Sequence, residues 1–170
     1  HHAEETSRES IATLAGLLEN DRVKAVGETG LDFFRDISPR ATQIKSFEQH
    51  IELAIETGLP MFLHERDAHP TFAEVLSGYR DNLSDLVVHC FTGEKEALYT
   101  YLDLDCHIGI TGWICDERRG QHLLNLVKDI PVERLMIETD APYLMPRSIR
   151  PKPKTRRNEP QYLRAVCETV

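Results

Sequence analysis

The stretch that decides the fold is LMIETDAPYL, residues 135–144. A short apolar, β-prone run, Leu135-Met136-Ile137, leads straight into Glu138-Thr139-Asp140, and Ala141-Pro142 stops it. A buried strand ending in two carboxylates is costly unless something positive sits at that end, because an unpaired buried charge is strongly disfavoured. Similar runs recur along the chain: VKAVG (23–27), PMFLH (60–64), DLVVHC (85–90), CHIGIT (106–111) and RLMIET (134–139). Between them lie stretches of helical period. Residues 5–19 place Ile11, Leu14, Ala15 and Leu18 on one face, and residues 40–57 do the same with Ile44, Phe47, Ile51, Ala54 and Ile55 before Gly58. Weaker patterns predict helices over 68–79, 94–102 and 117–128, and Pro160 opens a last one. Strand alternating with helix predicts βαβ units around a parallel sheet.

The ends of these runs carry the chemistry. The first is expected to stop at Glu28, the second at His64, the third at His89 and the last at Glu138 and Asp140. In parallel α/β folds the C-terminal strand ends share one face, which in barrels holds the site. Two histidines among several carboxylates, with few basic residues flanking the strand ends, favour a divalent metal over an ion-pair network. A polar rim satisfied by hydrogen bonds alone is the competing reading, since any one of these residues by itself is more often a rim or turn residue. Cys90, next to His89, is expected to point to the opposite face by strand alternation, so no Cys–His nucleophile is read here.

Composition narrows the field. The 170 residues suggest one domain over 1–170. Apolar residues make up 41% and charged residues 28%, and the net charge of −8 gives no general attraction to nucleic acid or membrane. Four cysteines without a CxxC pair read as reduced thiols in a cytoplasmic protein. No run has the length of a membrane span.

Six motifs in order, GETGLD (27–32), FLHERDA (62–68), VVHCFTG (87–93), IGITGW (108–113), IETDAPYL (137–144) and RNEP (157–160), resemble the TatD family of metal-dependent deoxyribonucleases. The resemblance implies an α/β TIM (β/α)8 barrel, of which this chain would cover roughly strands 4–8 with the N-terminal strands absent. It implies a two-metal centre in which Glu28 bridges both ions, His64 and His89 complete one site, and Asp140 serves the other with Glu138 beside it. The first-strand H-x-H pair of the family has no counterpart in this chain, and Glu65 stands where the family has a small residue or Cys.

The implied activity is phosphodiester hydrolysis of DNA, 3′ to 5′ on single strands, with RNA as a further substrate. Two divalent ions, Mg²⁺ in activity with Mn²⁺ or Zn²⁺ as alternatives, would share a hydroxide nucleophile. Glu28, Asp140 and Glu138 are the expected catalytic carboxylates, Glu138 or Asp140 handling the proton. An acidic protein needs a local positive path to such a substrate. Residues 147–157 supply one, with Arg147, Arg150, Lys152, Lys154, Arg156 and Arg157 and no acid among them. Arg66, Arg118 and Arg119 are expected to add to it, and Trp113 to stack a base. Two alternatives stand beside this reading: a metal hydrolase acting on another bond, such as that of aminoacyl-tRNA, and an inactive fragment lacking the first-strand ligands.

Overall fold

The computed structural model describes residues 1–170. Its five strands are β1 (Val26–Asp32), β2 (Met61–Arg66), β3 (Leu86–His89), β4 (Cys106–Ile110) and β5 (Leu135–Ile137), one for each apolar run. They form one sheet in chain order, with β1 parallel to β2 and β4 parallel to β5. Helices α1 (Arg8–Leu18), α2 (Arg40–Thr57), α3 (His69–Tyr79), α4 (Lys95–Asp103), α5 (Leu123–Leu126) and α6 (Leu163–Cys167) alternate with them, so the fold is α/β with a parallel sheet as expected. The chain divides into two compact units, His1–Val88 with Asp103–Cys106, and His89–Leu102 with His107–Val170. No helix is long and apolar enough to cross a membrane.

In the first unit, Ser7 opens α1 with a reciprocal capping box to Ser10, which satisfies two otherwise orphaned groups. Phe47, Ile51 and Ala54 form the buried stripe of α2, and Phe47 stacks on Phe72 of α3 at 5.2 Å. Gly58 ends α2 in a left-handed conformation, φ 66°. The strand expected to stop at Glu28 instead runs on to Asp32, because the glycines of VGETGLD let the backbone follow β2 closely. Gly30 sits at φ 150°, and a Cβ there would collide with the carbonyl oxygen of His64. The register slips between Gly27 and Thr29, which leaves Glu28 as the extra residue of a bulge. A bulge re-aims its side chain, and this one aims a carboxylate.

In the second unit, Ile108 and Ile110 of β4, Leu98 and Tyr101 of α4 and Val166 of α6 are buried. Phe91 meets Tyr101 edge to face at 6.2 Å. The helix expected over 117–128 shrinks to the four residues of α5. Asp116 is the reason: its carboxylate accepts from Arg118 N at 2.9 Å and its carbonyl from Gly120 N at 2.8 Å, so the chain turns here before any helix can start. Pro160 opens a 3-10 turn, Pro160–Tyr162, that leads into α6.

Candidate metal centre

Each unit holds one histidine between two carboxylates. In the first, His64 Nδ1 lies 2.8 Å from Glu28 Oε1 and Nε2 lies 3.1 Å from Asp32 Oδ2. Glu28 comes from the bulge of β1 and His64 from the middle of β2, so neighbouring strands bring them together. Asp32, which the sequence did not single out, is 7% exposed. Burial raises its pKa, yet the net effect is downward, because Arg35 N, the Arg35 guanidinium and His64 all bind the ionised form. Its own N–H is held by Gln43 Oε1 at 2.9 Å. The cluster opens into a cleft of about 640 Å³ that His1 and His50 also line.

In the second unit, His89 Nδ1 lies 2.7 Å from Glu138 Oε2, and His89 Nε2 lies 3.3 Å from Asp140 Oδ1. The other oxygen of Glu138 accepts from Cys90 N at 2.6 Å. Gly109 makes room for this carboxylate, since a Cβ there would fall on Glu138 Oε1. Glu138 N continues the β4–β5 ladder by donating to Ile110 O at 2.9 Å, although β5 itself ends at Ile137. Asn158 of the RNEP motif, 2% exposed, donates through Nδ2 to Thr139 O at 2.6 Å and so fixes the turn that carries Asp140. Nothing in the pattern around Asn158 announces that role except its place in the motif.

Strand alternation does not govern Cys90. β3 ends at His89, and Cys90 takes a left-handed backbone, φ 49°, that turns its side chain back toward the site. One ligand atom each from His89, Cys90 and Asp140 lie within 4.8 Å of one another, a set able to hold a metal ion. Asp140 is left-handed too, φ 53°. Such conformations cost energy and concentrate where side chains must be aimed. Glu65 turns to the start of α3 instead, accepting from Ala68 N at 2.7 Å.

The basic residues divide into two groups. Arg119 Nη2 lies 2.8 Å from Asp116 Oδ2, and its guanidinium covers the Trp113 ring at 4.2 Å. Arg147 makes a bidentate pair with Glu117, at 2.8 and 2.6 Å. Arg118, Lys152 and Arg156 line the same cleft of about 840 Å³ without a bidentate acid partner. In the first unit the Arg66 guanidinium lies over the Phe34 ring at 4.4 Å.

Comparison with known proteins matches this arrangement to one family. The family model described as TatD related DNase matches residues 1–170. A protein of Erwinia billingiae (strain Eb661) named 3'-5' ssDNA/RNA exonuclease TatD is 51% identical over all 170 residues, which span 65% of its length. A relative of the same name from Salmonella typhimurium is 44% identical, again over 65% of its length. The chain thus spans less than two thirds of these relatives. Among solved structures, a TatD family hydrolase from Entamoeba histolytica superposes with a TM-score of 0.83 at 30% identity, over 98% of this chain and 62% of that one. With the motifs, the sheet and the relatives in agreement over its whole length, the chain belongs to the TatD related DNase family.

Proposed function

We propose that the chain hydrolyses phosphodiester bonds of single-stranded DNA, and of RNA, from the 3′ end, using two divalent ions, Mg²⁺ in turnover with Mn²⁺ or Zn²⁺ as replacements. The observation that carries this reading is His89 set between Glu138 and Asp140. A carboxylate on Nδ1 fixes the tautomer and leaves the Nε2 lone pair beside a second carboxylate oxygen, which is how proteins present imidazole to a metal. The donor set fits: imidazole nitrogen and carboxylate oxygens suit Zn²⁺ and Mn²⁺, and the carboxylates suit Mg²⁺. His89 and Asp140 are the ligands in the second unit, Glu28 and His64 in the first. A divalent ion on such donors supplies Lewis acidity toward a phosphoryl oxygen and lowers the pKa of water.

The chain's own residues divide the remaining work. Both oxygens of Glu138 are engaged, by His89 and by Cys90 N, so Glu138 orients the histidine. That leaves the Asp140 carboxylate to receive the proton of the attacking water. Arg118, Lys152, Lys154, Arg156 and Arg157 meet the phosphates, and the Trp113 ring, stiffened by Arg119, offers a surface to a base. The names of the relatives, with their 3'-5' ssDNA/RNA exonuclease label, support the choice of substrate.

The test is degradation of a 5′-labelled single-stranded oligonucleotide with Mg²⁺ or Mn²⁺. Laddered shortening from the 3′ end, abolished by EDTA and by Glu28→Gln or Asp140→Asn, is expected. An intact oligonucleotide with folded, metal-loaded protein would overturn the nuclease reading and turn attention to bonds such as that of aminoacyl-tRNA.

A further inference from the structure

We infer that Cys90 is a third ligand beside His89 and Asp140, making the metal site of the second unit selective for thiophilic divalent ions such as Zn²⁺. This rests on the reading of His89 and Asp140 as ligands and adds the sulfur to it.

Three observations support it. His89 Nε2 and Asp140 Oδ1 already stand 3.3 Å apart, and tetrahedral Zn²⁺ holds its ligand atoms roughly 3.5 Å apart. One ligand atom each of His89, Cys90 and Asp140 lie within 4.8 Å of one another, so a side-chain adjustment of about 1 Å brings the three to ligand spacing. Glu138 holds the site from both ends: Oε2 takes the proton side of the His89 ring, and Oε1 takes the N–H of Cys90. One carboxylate thereby fixes the directions of the imidazole and of the cysteine backbone together.

The surroundings suit a sulfur ligand. Cys90 Sγ lies 3.3 Å from Thr111 Oγ1, and that oxygen also accepts from Trp113 N at 3.3 Å. The Thr111 hydroxyl, which carries one donor and two acceptor positions, can accept from Trp113 N and still bond the sulfur. Thr111 is itself buried, so water does not compete for this contact. On ligation the thiol gives up its proton to solvent and the sulfur lone pair binds the ion. Thiolate discriminates steeply between ions: it binds Zn²⁺ and Cd²⁺ well and Mg²⁺ hardly at all. Mg²⁺ would use the nitrogen and oxygen donors of the site without the sulfur, and a thiophilic ion would displace it.

Cd²⁺ added to the protein reports the sulfur directly, through the ultraviolet thiolate-to-cadmium charge-transfer band. The expected result is a band saturating at one Cd²⁺ per chain, lost in Cys90→Ser and kept in Cys167→Ser, which removes the exposed cysteine. Cys90→Ser should also weaken Zn²⁺ by at least about 10-fold while leaving Mg²⁺ binding within error. Circular dichroism, with Cys90→Ala as a second variant, checks that the fold is unchanged. A band that survives Cys90→Ser, or Cd²⁺ binding without a band, would overturn the inference while leaving His89 and Asp140 as ligands. Failure of Cd²⁺, Zn²⁺ and Mg²⁺ all to bind would overturn both.

Discussion

Glu138 and Asp116 lie in the same unit, both largely shielded from water, yet one holds a histidine and the other holds arginines. Around Asp116 the charges are settled. Arg119, Arg118 and Arg147 all approach it, Glu117 takes Arg147 as well, and the group is a neutralised brace for the turn. Around Glu138 nothing is permanently cationic. Its partners are an imidazole and a backbone N–H, and the next carboxylate, Asp140, faces the far side of the same ring. Acids closed off by guanidinium make structure, because an arginine never gives up its charge. Acids closed off by imidazole leave a donor set that a metal can complete. The first unit mixes both designs, since Asp32 faces His64 on one side and Arg35 on the other.

The sharpest way to break this contrast is Glu138→Gln. An amide can still accept one hydrogen bond, but it no longer draws the His89 proton to Nδ1, and loss of such a partner lowers metal affinity by about 10–100-fold. Isothermal titration with Mn²⁺ or Zn²⁺ measures it. Unchanged affinity would place Glu138 with the structural acids. Gly109→Ala approaches the same carboxylate from below. The new methyl would occupy the place of Oε1, so the expected cost is about 1–3 kcal/mol of stability from overpacking, with weakened metal binding alongside. Chemical denaturation and the same titration read the two effects. A loss of stability with metal affinity intact would show that the carboxylate can move without releasing His89.

Much of this contrast could be read before the structure. His64, His89, Glu138 and Asp140 were singled out because apolar runs end beside them, and the tertiary structure sets His89 between Glu138 and Asp140. What escaped was set by the backbone and by partners distant in sequence. Glu28 was placed at a strand end and sits in a mid-strand bulge, because two glycines at positive φ let β1 run on to Asp32. Cys90 was turned away by an alternation rule that stops applying at the left-handed residue itself. Asp32 and Asn158 show no periodicity, and their contacts appear only when His64 and Thr139 arrive beside them. The pairing of Arg147 with Glu117 could not be read from the basic run, because that acid lies thirty residues away in sequence.

The arginine-bound acids carry a pH signature. Burial pushes the Asp116 carboxyl up, but the hydrogen bonds from Arg118 N and Arg119, with the charges of Arg119 and Arg147, outweigh it and hold the pKa below the usual value. A folded-state pKa below the unfolded one stabilises the fold above the ordinary carboxylate range, about 3.9, and that stability is lost as pH falls through the depressed folded value. Asp116→Asn should therefore lower Tm at neutral pH and flatten its decline in acid. The size expected is about 1–3 kcal/mol, that of hydrogen bonds to a buried charge. Thermal melts from pH 7 down to about 3 compare the two chains across the range in which carboxyls protonate. Parallel acid limbs would mean that the arginines do not hold this acid in its charged form.

Glu117→Gln should have the smallest effect on the fold and the most informative effect on binding. Glu117 is exposed, and Arg147 holds its carboxyl down to about 2. A surface pair of this kind adds little to stability because water screens it, so Tm should stay within error. Removing the acid's charge leaves Arg147 without its strongest partner, on the wall of the cleft that Lys152 and Arg156 also line. If a nucleic-acid strand runs through that cleft, the released guanidinium gains a phosphate, and the slope of log affinity against log salt steepens by about 0.7. Fluorescence anisotropy with a labelled single strand over a salt series reads this directly. An unchanged slope would confine Arg147 to bracing Asp116 and Glu117.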